Sequence, residues 1–112
     1  MDQEIESEWR AEIRARLDEL EAQDARGRAG QATVELDQQT VGRLSRMDAL
    51  QNQAMARATG IRRQAERTRL RAALARLDVG EFGYCEDCGD AIAPGRLRLD
   101  PAAIRCVSCA SG

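Results

Sequence analysis

Four residues in this sequence have the type and spacing to do inorganic chemistry. Cys85, Cys88, Cys106 and Cys109 are all the cysteines in the chain, and they fall as C-x2-C-x17-C-x2-C. A two-residue gap lets both thiolates of one tight turn face a single ion, and two such turns complete a tetrahedral sulfur shell for zinc. Gly89, directly after the first pair, permits the positive φ that such a knuckle requires. Four thiolates leave no position for water or substrate, so the expected role is one structural Zn²⁺ that folds a module too small to fold by burial. Disulfides compete with this reading, but a reducing compartment disfavours them, and a thioredoxin-like redox pair would need one CxxC within a βαβ pattern that is missing here.

The rest of the composition sets limits on other chemistry. Histidine is absent and all 17 basic residues are arginine, which removes His-based catalysis and His metal ligands. No nucleophile, base and orienting group can be assembled from these residues, so an enzyme is not expected. There is no apolar run of about 18 residues, and the opening MDQEIESEWR is acidic where a signal peptide would be basic and then apolar, so a cytoplasmic protein without membrane contact is expected. Only Trp9, Phe82 and Tyr84 are aromatic and 32% of residues are charged, the profile of long exposed helices.

The elements that must carry the cysteines read as two helices. Ile5, Trp9, Ile13, Leu17 and Leu20 recur at three or four residues, Asp2 can cap the start, and the pattern predicts a first helix over 4–26. Gly27 and Gly30 are expected to break it, and Asp37 to cap a longer second helix that runs to about Asp78 and stops near Gly80. Leu44, Met47, Gln51, Ala54, Ala58, Ile61, Ala65, Thr68 and Ala72 alternate spacings of three and four, the seam expected to face the partner helix. Residues 1–24 hold nine acids and three arginines, whereas 38–78 hold nine arginines and three acids, so the two helices complement each other in an antiparallel pair. Leu70, Leu74 and Leu77 are expected to pack on the cysteine module. The predicted architecture is all-α: an antiparallel two-helix coiled-coil hairpin over 1–78 with its tip near 27–48, then a small four-cysteine zinc-ribbon-like module over 79–112.

A helical hairpin ending in EFGYCEDCGDAI, then RLRLDPAAIRC and VSC, resembles the DksA/TraR family of bacterial transcription regulators. The resemblance rests on the FGYC that leads into the metal site, the CxxCG knuckle, the 17-residue spacing and the turn before Cys106. It is strongest over 77–109 and only architectural before Ala32. It implies a monomer that binds RNA polymerase and inserts its coiled coil into the secondary channel, where acidic tip residues modulate initiation, often together with the alarmone ppGpp. Direct DNA contact is not implied.

Carried onto this sequence, the tip falls within 33–49; the family's D-x-x-D-x-A tip has no match there, and Asp37, with Glu35 nearby, is the preferred counterpart of its second aspartate. Asp48 followed by Ala49 is the second choice, because counting back from Cys85 without gaps puts the tip near 42–47. Arg62 and Arg69 are the candidates for alarmone or polymerase contacts. Where such relatives place a basic residue before the proline this chain has Asp100, and only three residues follow Cys109, so weak or absent dependence on ppGpp is expected.

Two other function classes compete. Seven arginines and one acid between Arg57 and Arg76 could form a nucleic-acid stripe beside a zinc ribbon, although a pI near 5.2 and scarce aromatic residues oppose it. A solvated face with cross-helix ion pairs accounts for most of these arginines. The other class is an adaptor that binds a protein partner.

Overall fold

The structure, a computed structural model, describes residues 2–41 and 46–111, and the side chains of 2–29 and 46–111. Four helices follow one another: α1 (Gln3–Val41), α2 (Arg46–Asp78), α3 (Pro94–Leu99) and α4 (Val107–Ser111). Among the described residues there is no strand, and the ribbon expected around the metal is reduced to one antiparallel bridge between Tyr84 and Ala91. No described helix is long and apolar enough to cross a membrane.

Several local expectations hold. The Asp2 carboxylate accepts the Glu4 N–H at 3.3 Å, capping α1, and acids fill its first turn. At the end of α2 the Glu81 N–H reaches the Arg76 carbonyl at 2.8 Å and the Gly80 N–H reaches Leu77 at 3.3 Å, with Gly80 at φ 75°. That pair of bonds around a left-handed glycine is a Schellman stop, and it turns the chain toward the cysteines.

The helix boundaries differ from the expectation. α1 does not end at residue 26 but runs through 27–30 to Val41, so it is 39 residues long and exceeds α2 at 33. Asp37 therefore lies inside α1 and does not cap α2, and the connection falls at 42–45, outside the described residues. An isolated glycine costs a helix only about 1 kcal/mol, which the rest of a long helix absorbs. The side chains of Glu35, Asp37 and Leu44 lie outside the described residues.

The seam also moves. On α2 the half-buried or buried positions Ala49, Ala56, Arg63, Leu70 and Leu77 recur every seven residues, whereas Met47 is 79% and Ile61 64% exposed. Of the expected track, Met47, Gln51, Ala54, Ile61, Ala65, Thr68 and Ala72 face solvent, Ala58 is half-buried, and Leu44 lies outside the described residues.

The chain packs as two compact units, Met1–Leu17 with Thr68–Gly112, and Asp18–Arg67, a division that differs from a cut at residue 78. In the first, the start of α1 lies beside the end of α2, and the core consists of Ile13, Leu70, Ala73, Leu77, Phe82, Ile92, Leu97 and the 101–103 turn. Trp9 packs on Phe82 with ring centroids 5.5 Å apart and tilted by 50°, an aromatic pair that adds to area burial. Leu70 and Leu77 are buried as expected, while Leu74 is half-buried. In the second unit the partners are charged. The Asp24 carboxylate, 13% exposed, accepts from both Arg63 and Arg67 of α2, and the guanidinium of Arg63 lies close to Gly27.

Candidate metal centre

The first knuckle is built by backbone bonds. Gly89 at φ 79° folds the chain back so that its N–H reaches the Cys85 carbonyl at 2.9 Å, while the Cys85 N–H donates to Asp90 at 2.8 Å and Ile92 to Gly83 at 2.7 Å. This tight hairpin puts Cys85 and Cys88 on one side. The second pair comes from a helix start: Cys106 immediately precedes α4, and Cys109 sits one turn on, with the Ala110 N–H on the Cys106 carbonyl at 2.9 Å. The Glu86 N–H to Ile104 carbonyl bond at 2.8 Å and an Arg105–Asp87 ion pair at 3.0 Å join the two halves. None of these backbone partners could be read from residue types.

α3 and the turn after it hold the second half against the helices. Pro94 opens α3 at a position where its missing N–H costs nothing. Asp100 then accepts the Ala102 N–H at 3.2 Å through one carboxylate oxygen and Arg69 of α2 at 2.7 Å through the other. Arg16 of α1 donates to the Arg98 carbonyl at 2.9 Å, and Arg96 to the Arg105 carbonyl at 2.9 Å.

The four sulfurs converge within 4.8 Å of one another, and Cys88 and Cys106 are 3.8 Å apart. Zn–S bonds of about 2.3 Å in a tetrahedron require sulfur separations of about 3.8 Å, so the donor set fits the ion that the spacing implied. Cys85 is buried, Cys106 and Cys109 are half-buried and Cys88 is exposed, so the site sits at the surface of its unit. Backbone N–H groups of Cys106 and then Cys88 lower the Cys85 thiol to about 6, so it is largely thiolate at neutral pH. Crowding by the other sulfurs, Cys106 first, pushes Cys109 up. At Cys88 the Asp90 N–H pulls downward most strongly, but the Cys85 sulfur, loss of solvent and the Cys106 sulfur together outweigh it and the thiol rises. Four sulfurs this close need a cation to share their charge, and the metal supplies it.

The other expected residues lie elsewhere. Asp48 is in the first turn of α2, with Ala49 half-buried beside it. Arg62 donates to Thr59 at 3.1 Å, and Arg69 is held by Asp100. Ion pairs and carbonyl bonds also occupy Arg63, Arg67 and Arg76, as expected for most of that arginine-rich stretch. The Asp24 carboxylate between two arginines was not foreseen, because acidic residues on α1 are too numerous for one to stand out.

Residues 80–112 match the prokaryotic dksA/traR C4-type zinc finger. Over 41 residues the chain is 42% identical to the RNA polymerase-binding transcription factor DksA of Haemophilus influenzae, a match that covers 37% of this chain and 28% of that protein. The fold matches that of transcription factor DksA2 from Pseudomonas aeruginosa with a TM-score of 0.83 and 21% identity, over 98% of this chain and 83% of the other. The C-terminal segment thus carries a dksA/traR-type C4 zinc finger, and the chain shares the fold of DksA2.

Proposed function

We propose that the chain binds RNA polymerase and modulates transcription initiation, with its helical hairpin entering the secondary channel and the zinc module holding the base of that hairpin. The observation that carries the reading is the fold match over 98% of the chain, with a C4 finger of the same family at its C-terminal end. The helix boundaries favour Asp48 over Asp37 as the acidic tip residue, since Asp48 stands three residues past the connection and Asp37 one turn before it. On this reading the protein is a cytoplasmic, non-enzymatic monomer.

Dependence on ppGpp is proposed to be weak. A tetraphosphate-like anion needs several converging cations to replace its hydration. Arg69 already faces the Asp100 carboxylate at 2.7 Å, which supplies internally the negative charge an anion would bring.

Purified core polymerase is the test partner, with a DNA mobility shift alongside. Binding to polymerase without a shift supports the reading; a shift without polymerase binding supports a nucleic-acid ribbon, and neither result leaves the adaptor. In transcription from a ribosomal promoter, Asp48→Asn is expected to abolish the effect while polymerase binding persists. Inactivation by Asp37→Asn alone would return the tip to α1. On polymerase lacking its own alarmone site, a several-fold stimulation by ppGpp would refute the proposed independence.

A further inference from the structure

The chain has three aromatic residues, and all three line one groove of about 740 Å³ in the unit that holds the cysteines. Trp9 and Phe82 form its floor with Ile92 and Leu97, while Ile5 and Tyr84, 44% and 46% exposed, stand at the surface. Trp and Tyr are the residues most enriched where proteins bind partners, because they bury a large area at small cost in rotamer entropy. A chain this poor in aromatic residues has no other place to offer such contacts.

The charges around the groove select the occupant. Glu8 and Glu12 both line it, against one cation, Arg98. Glu12 is partly neutralised by Arg16 at 3.0 Å, whereas Glu8 makes no ion pair or hydrogen bond with a side chain among the described residues. A carboxylate beside aromatic faces favours a cation that can contact both, through a charge-assisted bond and a cation–π contact. A second copy of the chain would bring further carboxylates to an acidic wall, and an acidic segment would meet Glu8 directly.

We propose that this groove is a docking site for a basic segment of a protein partner, an arginine or lysine flanked by aliphatic residues, with the cation at Glu8 and the aliphatic groups over Trp9, Ile5 and Tyr84. This goes beyond the polymerase reading and does not depend on it.

Trp9, the single tryptophan, reports on its own site. The zinc-loaded full chain is titrated with a synthetic peptide of alternating leucine and arginine, and with its leucine–glutamate counterpart, while Trp9 emission is followed. Saturable change with the arginine peptide alone is expected. Glu8→Arg should weaken binding about tenfold, and Ile5→Ser and Tyr84→Ala each several-fold, with zinc content and circular dichroism unchanged. Glu21→Arg, the same charge change in the other unit, should stay within about twofold. The proposal is overturned if both peptides give the same response, if no Trp9 change occurs, or if Glu21→Arg weakens binding as much as Glu8→Arg. Replacement of Ile5 keeps the test valid should Tyr84→Ala lose zinc.

Discussion

The two packing units of this chain are held together by different physics. Every buried apolar side chain among the described residues falls in the unit with the cysteines, where helix ends, α3 and the metal module share one core. Among its described residues the Asp18–Arg67 unit has none; its half-buried positions are Leu20, small residues, and the polar or charged Gln23, Asp24, Arg63, Glu66 and Arg67. Apolar burial contributes roughly 1.5–3 kcal/mol for each large side chain, whereas a buried ion pair contributes little net stability and mainly specifies which groups meet. One unit is therefore held by an apolar core, and the other has a register that depends on a few polar contacts.

Removing the metal should break this contrast most severely. Structural zinc supplies on the order of 10 kcal/mol in small modules, so chelation is expected to unfold the cysteine segment and expose Trp9 while much of the helical signal persists. Native mass spectrometry of the untreated protein should give one zinc per chain, and circular dichroism with Trp9 emission should follow its loss. A protein isolated from a reducing cytosol with a full set of disulfides and no metal would refute the site.

Next in size is the core itself. Leu70→Ala should cost about 2–5 kcal/mol, since the residue is fully buried in the core of the cysteine unit. Ile61→Ala, on the face opposite the observed seam, should change urea stability by no more than about 0.5 kcal/mol. Equal losses at the two positions would mean that the seam is the track Met47, Ala54 and Ile61 after all.

Asp24→Ala sharpens the comparison from the other side. It leaves Arg63 and Arg67 half-buried and facing each other, with an expected loss of about 3 kcal/mol. Replacing all three residues by apolar ones of similar volume is expected to recover most of that loss, which denaturant midpoints would show. The smallest effect is expected at the exposed pair Arg10–Asp78, where Arg10→Ala should cost less than about 1 kcal/mol and nothing measurable at high salt.

How far the sequence reveals the molecule follows the same division. Cysteine spacing, Gly80 and Gly89 each encode a local geometric requirement, and the structure meets all three. Of the predicted stripe on the first helix, Trp9, Ile13, Leu17 and Leu20 do turn inward, because large apolar residues stand out on an otherwise charged helix, whereas Ile5 is exposed. On α2 the alanines lie on both tracks, and the inward one includes two arginines that only make sense opposite Asp24. A periodicity argument counts apolar residues, so it chose the wrong face. The turn was misplaced for a related reason: glycines break a helix only when nothing else sustains it, and α1 continues for 11 residues beyond Gly30.

The cysteine unit draws on both ends of the chain, with Met1–Leu17 separated from Thr68–Gly112 by the whole of the other unit. Contacts of long sequence separation form late, and a ribosome delivers the C-terminal residues last. The first 17 residues must therefore wait, with Trp9 and Ile13 uncovered, until the cysteines emerge and take up metal. The supply of zinc then sets when the apolar surface of Met1–Leu17 is finally covered.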